Sequence, residues 1–544
     1  MKKVRIVFWG FIFTLFVGCS SNNNNQPKPE WELDPPPEAA LFNGLTLATP
    51  LKAYGDVNPL MTQNFGADPF ALVYDERVYV YMTGDTPVPG AGGVIPQNTY
   101  DNITTIRILS SSDLVNWTEH PEIKVAGASG AAKWASRSWA PAAAYREVNG
   151  QAQFYLYFAN GAGGIGVLTA DSPTGPFTDP VNKALINSAT PNCNNVVWLF
   201  DPAVFVDDDG TGYIYFGGGT PTNTGEDLWG GAAHTNHAMP GTIRVAKLGS
   251  DMTSLAGDPV KLEAPFSFED NGCFKRGNTY YYTYCTNRGV DAFAANDPEN
   301  HPEAVQIGKG MTIAYMTSDN PMSGFTLGNM ILTNPGEMFS IKGGNNHHAI
   351  FQFRGKWYIV YHSRLLAHAM GLDDEGKASA AGEGYRSTHV DQVNIQSNGT
   401  IDRVNGTRSG PARAANFSPF RSINAATIGV MAGIKTVVHG GTSMKVSDIH
   451  TGDWLALYGV NFGSKGNGAT QFKCRVQLPE NGKGVIQIKL DGLNGPAVGY
   501  AIFDETAESP EISVDLLREV YGVHDLIFVF HGESYDLEQW QFFR

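Results

Sequence analysis

The feature that most limits what this chain can fold into is a hairpin design that returns five times, at spacings of about 60 to 80 residues, the size of one propeller blade with long loops. Each copy opens on a polar or special residue, runs on as an apolar strand, turns on a short charged or glycine-containing link and returns as an aromatic strand. The copies are segment 67–74 leading to 78–81, 139–145 leading to 154–158, 201–206 leading to 213–216, 269–275 leading to 280–284, and 346–353 leading to 357–361. A unit of this kind cannot bury its apolar face alone and must stack on its neighbours. The expectation is an all-β chain built on a five-bladed β-propeller, and the 62 Gly, 22 Tyr, 30 Phe and 10 Trp suit turns and pleated surfaces.

In a propeller the first strand of every blade lines the central channel, so the opening residues of successive copies surround one axis. Here those residues are Asp68, Trp139, Asp201, Glu269 and His347. Each alone has a plainer reading. Asp-Pro commonly starts a turn, which would account for Asp68 and Asp201; Glu269 alone reads as a solvated carboxylate, His347 as a satisfied polar residue and Trp139 as core. Their coincidence in one repeat predicts a pocket holding three carboxylates. Cleaving a glycosidic bond requires one carboxylic acid to protonate the departing oxygen and one carboxylate to assist water. A third nearby negative charge raises a partner's pKa and keeps the acid protonated near neutrality. Asp207-Asp208-Asp209-Gly210, by contrast, reads as a hairpin turn.

The ends of the chain read differently. Lys2, Lys3 and Arg5, an apolar run from Ile6 to Val17 and then Gly18-Cys19 form a signal peptide over 1–19. Residues 20–44 begin as a polar, Pro-interrupted tether. The propeller is expected over 45–415. After a Gly/Pro/Ala-containing link, short alternating strands such as 471–476 and 485–490 predict a β-sandwich (jelly-roll) module over 420–544. In an oxidising compartment Cys193, Cys273, Cys285 and Cys474 are free to form disulfides, with three full pairings open. A net charge of −15 argues against nucleic acid as a partner. No phosphate loop or dinucleotide fingerprint points to an organic cofactor.

On these residues the chain resembles glycoside hydrolase family 43, a group of five-bladed propeller enzymes, and within it is most similar to arabinoxylan arabinofuranohydrolases. Ala67-Asp68-Pro69 matches the family's general-base motif, Phe200-Asp201-Pro202 its pKa-modulator motif, and Phe268-Glu269 followed by Lys275-Arg276 its general-acid motif. Glu263-Ala264-Pro265 is a rival for the acid. Asp270-Asn271-Gly272 stands where a small residue, Ser and Trp are expected. The resemblance implies inversion, with Asp68 as base, Glu269 as acid and Asp201 orienting it. It further implies that Trp139, His347 and Arg386 meet the sugar and that His347 stands beside a calcium ion held mostly by water. The loop 225–231 reads as a rim that shapes substrate choice, with Trp229 placed to stack on a sugar. Phe16-Val17-Gly18-Cys19 resembles a lipobox, which implies that Cys19 is acylated and the protein is a bacterial surface or periplasmic lipoprotein. The C-terminal portion resembles carbohydrate-binding module family 6, although Asn424 and Ala426 stand where its calcium-binding acids are expected, and Asp536 where an Asn is. The expected activity is removal of α-L-arabinofuranosyl groups from plant cell-wall polysaccharide. β-Xylosidase or arabinanase action, or silent glycan capture by a surface lipoprotein, stand as alternatives.

Overall fold

The computed structural model describes residues 33–89, 95–221, 237–372, 384–479, 482–504 and 511–544. Cys19 and its leader, and Trp229 with its rim loop, lie outside the described residues. Among those described, no helix is long and apolar enough to cross a membrane.

All five predicted hairpins form, and each heads one antiparallel sheet. Their inner strands are Ala67–Tyr74, Trp139–Val148, Ala203–Val206, Ser267–Arg276 and His348–Phe353. Three of the hairpins turn on two residues that both have positive φ, Asp75-Glu76, Asn149-Gly150 and Arg354-Gly355. Such a turn matches the right-handed twist of the strands it joins. The Asp207–Gly210 turn is also present, closed by the Gly210 amide on the Asp207 carbonyl at 2.8 Å. Lys275 of the fourth blade donates to Asp207 and Asp208 across the gap, at 2.5 and 2.8 Å, and so clasps two blades together.

The cores lie between the blades. Tyr81, Ile108, Leu156 and Phe158 fill the first interval, Tyr157, Ile214 and Phe216 the second, Tyr215, Tyr282 and Met316 the third, and Tyr281, Ile359 and Tyr361 the fourth. The segment ahead of the first blade closes the ring by pairing with the fifth: the Leu60 amide donates to the Thr388 carbonyl and Gly66 to Arg386. The fifth core joins these two blades and also takes in Trp454, Tyr458, Ile527 and Val529 of the C-terminal module.

That module is a sandwich. Its last strand, Val523–Phe543, pairs first with Trp454–Asn461 and Gly484–Leu490, then, past Gly532, with Ser443–His450 and Ala469–Gln477, so that one strand serves both sheets. Between the sheets lie Phe472, Phe528, Tyr535, Trp540 and Phe542. The short strand Thr427–Ile428 leaves the sandwich and adds a fifth strand to the first blade, beside Trp117–Lys124. The four cysteines are free thiols. Pairing is ruled out by where they pack: Cys193, Cys285 and Cys474 are buried in three different cores, and Cys273 packs against a fourth.

Candidate active site

The inner strands do not begin as regular strands. In the first, second and fourth blades the register slips near the start, and at or beside the slip Asp68, Ala140 and Asp270 have φ of +46°, +35° and +64°. Asp201, just ahead of the third inner strand, has φ +46°. A positive φ in a non-glycine residue is strained, and such strain concentrates where a site over-determines it. The shared register corrects the sequence reading: the residues equivalent to Asp68 and Asp201 are Ala140 and Asp270. Trp139 and Glu269 each stand one residue earlier, and the bulge lets both members of the pair Glu269-Asp270 reach the hub.

A cavity of about 600 Å³ opens at the hub, and Asp68, Trp139, Asp201, Glu269, His347 and Arg386 all line it. Of the candidate site residues picked out from sequence, all those within the described residues except the rival acid Glu263 are therefore brought together here. Glu263 is half-exposed and pairs with Lys261 on the surface. Pocket residues that the sequence reading missed include Tyr100, Trp198, Phe200, Arg288 and Arg364. Trp198 and Phe200 meet edge to face at 5.2 Å, and the Trp139 indole donates to the Tyr100 carbonyl at 2.8 Å, fixing an aromatic wall.

The charges are arranged unequally. Asp68 Oδ1 accepts from Arg386 Nη1 at 2.7 Å, and the Asp68 amide donates to His362 Nδ1 at 3.0 Å. His362 Nδ1 is thus an acceptor, its Nε2 carries the proton to the Asn345 carbonyl at 2.9 Å, and the ring is neutral, in keeping with burial lowering its pKa. Burial alone would push the Asp68 carboxyl up, but Arg386 first and then His347 overcome it and hold the group well below the usual carboxylate range. His347 stands among three acids, with Nε2 3.2 Å from Asp201 and Nδ1 3.7 and 3.6 Å from Asp68 and Asp270. Burial opposes its proton, yet those carboxylates raise its pKa well above that of free histidine.

Glu269 differs. Burial, reinforced by Asp201, Asp68 and Asp270 and opposed by His347, pushes its carboxyl up to about 8. Its Oε1 is buried and has no hydrogen-bond partner among the described residues. Asp201 is also raised, first by burial, while His347 and the Asp270 amide at 2.8 Å act against that. Behind the pocket, Asp270 accepts from the His348 amide at 3.1 Å and contacts its Nδ1 at 2.5 Å, and Asn271 donates to the Asp201 carbonyl at 2.9 Å. The departure at Asp270-Asn271 thus braces the cluster from the rear. Asp201, Glu269 and His347 each present a ligand atom within 4.8 Å of the others, a geometry that could hold a metal ion.

A ring of five sheets with neutral and ionised carboxylates facing one another at its hub is the architecture of a glycosidase. The description "Glycosyl hydrolases family 43" matches residues 57–401 and "Carbohydrate binding module (family 6)" residues 424–544, and the chain belongs to glycoside hydrolase family 43. It is 43% identical to an arabinoxylan arabinofuranohydrolase of Paenibacillus polymyxa over 90% of this chain and 75% of that protein. It is 41% identical to one from Bacillus subtilis over 99% of both chains. A Bacillus subtilis arabinoxylan arabinofuranohydrolase crystallised with cellotetraose superposes with a TM-score of 0.81 at 40% identity, covering 92% of this chain and 99% of that one.

Proposed function

We propose that this glycosidase removes α-L-arabinofuranosyl side chains from arabinoxylan with inversion, using Asp68 as general base, Glu269 as general acid and Asp201 to orient Glu269 and raise its pKa. The observation that carries the reading is the split within one pocket: a carboxylate held ionised by Arg386 faces a carboxylic acid held protonated by burial. In a single displacement, water bonds to the anomeric carbon as the glycosidic C–O bond breaks. Asp68 takes the water's proton, and Glu269 gives its own to the departing oxygen. The relatives' activity on arabinoxylan supports the substrate.

Hydrolysis requires Asp68 ionised and Glu269 protonated. With Glu269 raised to about 8, activity falls as pH rises through about 8, and the acid limb lies below the ordinary carboxylate range. Because Asp201 contributes to the raised value, Asp201→Asn moves the basic limb to lower pH. Proton NMR of arabinoxylan, arabinan and xylo-oligosaccharide digests tests the whole reading: arabinose appearing first as the inverted anomer supports it, xylose moves the assignment to β-xylosidase, and no release from any substrate returns it to glycan capture.

Cys19 is the acylated residue of a lipoprotein, on the strength of the basic, apolar and Gly18-Cys19 succession; labelling with a fatty acid that disappears in Cys19→Ala tests it. A calcium ion beside His347 would find one imidazole nitrogen where calcium prefers oxygens, and two carboxylates already committed as acid and orienter. Water would have to supply most of its shell, and its contribution would be positive charge near the axis. Activity after exhaustive chelation measures that contribution.

A further inference from the structure

Asp85 does not line the catalytic pocket, yet it controls a residue that does. It lies just past the outgoing strand of the first blade, Arg77–Thr83, and is completely buried. Both its oxygens are engaged by Arg386: Nε donates to Oδ2 and Nη2 to Oδ1, each at 2.9 Å, and the Arg386 amide donates to Oδ2 at 3.1 Å. The Tyr100 ring covers the guanidinium, 4.6 Å from its centroid. A planar guanidinium held by one edge in this way offers its remaining nitrogen, Nη1, and that nitrogen meets Asp68 Oδ1 at 2.7 Å. The contacts from His347 and His362 to the Asp68 carboxylate fall on the same Oδ1, at 3.7 and 3.2 Å. Oδ2 of Asp68 accepts no hydrogen bond among the described residues.

We propose that Asp85 is a positioning residue for hydrolysis: by gripping the forked edge of Arg386 it restricts the guanidinium to one oxygen of Asp68 and reserves the other for the attacking water. The inference rests on Asp68 being the base. Oδ2 then receives the proton that water loses as its oxygen bonds to the anomeric carbon. Guanidinium and carboxylate favour a bidentate pairing. Freed from Asp85, Arg386 can turn its fork onto both oxygens of Asp68 and mask the base.

Steady-state kinetics of Asp85→Asn on arabinoxylan oligosaccharides, with and without azide, tests this. Azide is already an anion, so it attacks without a base, while Glu269 still protonates the leaving oxygen; the product is a glycosyl azide of inverted configuration. The expected result is a fall in kcat of about 100-fold with KM changed less than about threefold, and recovery of turnover as glycosyl azide, because general-base assistance supplies about 10²- to 10⁴-fold. Should Asp85→Asn not fold, Asp85→Glu carries the same comparison with the charge retained and the fork displaced. A kcat within twofold of wild type overturns the proposal, as does a loss that azide leaves unrepaired, since that marks a distorted pocket. A wild type that releases no sugar removes the base reading and this proposal with it, whereas an active wild type beside an unaffected variant removes the role of Asp85 alone.

Discussion

Two buried glutamates show how one side chain serves two ends. Glu119 lies where the first blade meets the module, and Glu269 lies at the hub; both are almost fully enclosed, at 4% and 5% exposure. At Glu119, Oε2 accepts from Gln63 at 2.8 Å and also from the Thr436 hydroxyl, while Oε1 accepts from Asn64 at 2.7 Å, so three neutral donors from two segments converge on one carboxylate. At Glu269, Oε1 has no partner among the described residues, and three other carboxylates surround the group. The seam spends its buried charge on holding two domains in one pose. The hub leaves a buried carboxyl oxygen without a partner, which is costly to the fold and useful for moving a proton.

Substitution should separate the two most sharply at the hub. Glu269→Gln keeps the shape and removes the transferable proton, and kcat is expected to fall about 10²- to 10⁴-fold with the thermal transition little changed. The reverse signature is expected from the seam. Trp454 is fully buried, belongs to the core shared by propeller and module, and donates to the Ala48 carbonyl at 2.9 Å. Trp454→Ala is expected to cost about 3–5 kcal/mol of stability while activity per folded molecule is kept. Calorimetry reads this, and because the core is shared, propeller and module should lose stability in one transition. A variant that melted the module alone and left the propeller's transition in place would break the comparison.

The hub was the more legible of the two in the sequence, for a physical reason. Propeller symmetry converts a distant repeat into a shared axis, so Asp68, Asp201, Glu269 and His347 could be gathered from one register. The register itself was read one residue off at Trp139 and Glu269. In the fourth copy Asn271 replaces the proline that marks the first three, and a bulge with positive φ leaves no mark in an apolar pattern. Asp85, Tyr100 and Trp198 escaped because they arrive from turns and connections outside the inner strands, where no repeat indexes them. The seam escaped almost wholly: Thr427–Ile428 is two residues long, and nothing in its composition says that it completes another domain's sheet.

Smaller effects sharpen the contrast. Glu119→Ala leaves the amides of Gln63 and Asn64 and the Thr436 hydroxyl without their acceptor, at a cost of about 1–3 kcal/mol, with kcat unchanged. Equal loss of stability and kcat would mean that the seam reaches the hub, and the division drawn between them would fail. The least is expected from Asp208. Lys275 contacts both Asp207 and Asp208 across the third and fourth blades, but the Asp208 side chain is 87% exposed against 10% for Asp207. Asp207 also accepts from the Tyr280 hydroxyl at 2.5 Å, so the clasp has a second point of attachment there. Asp208→Ala is therefore expected to change stability by no more than about 0.5 kcal/mol, within the range of exposed ion pairs, and Asp207→Ala by clearly more. Chemical denaturation of the two variants side by side measures the difference. If Asp208 proved the costlier loss, burial would not be what makes a carboxylate matter in this propeller away from its hub.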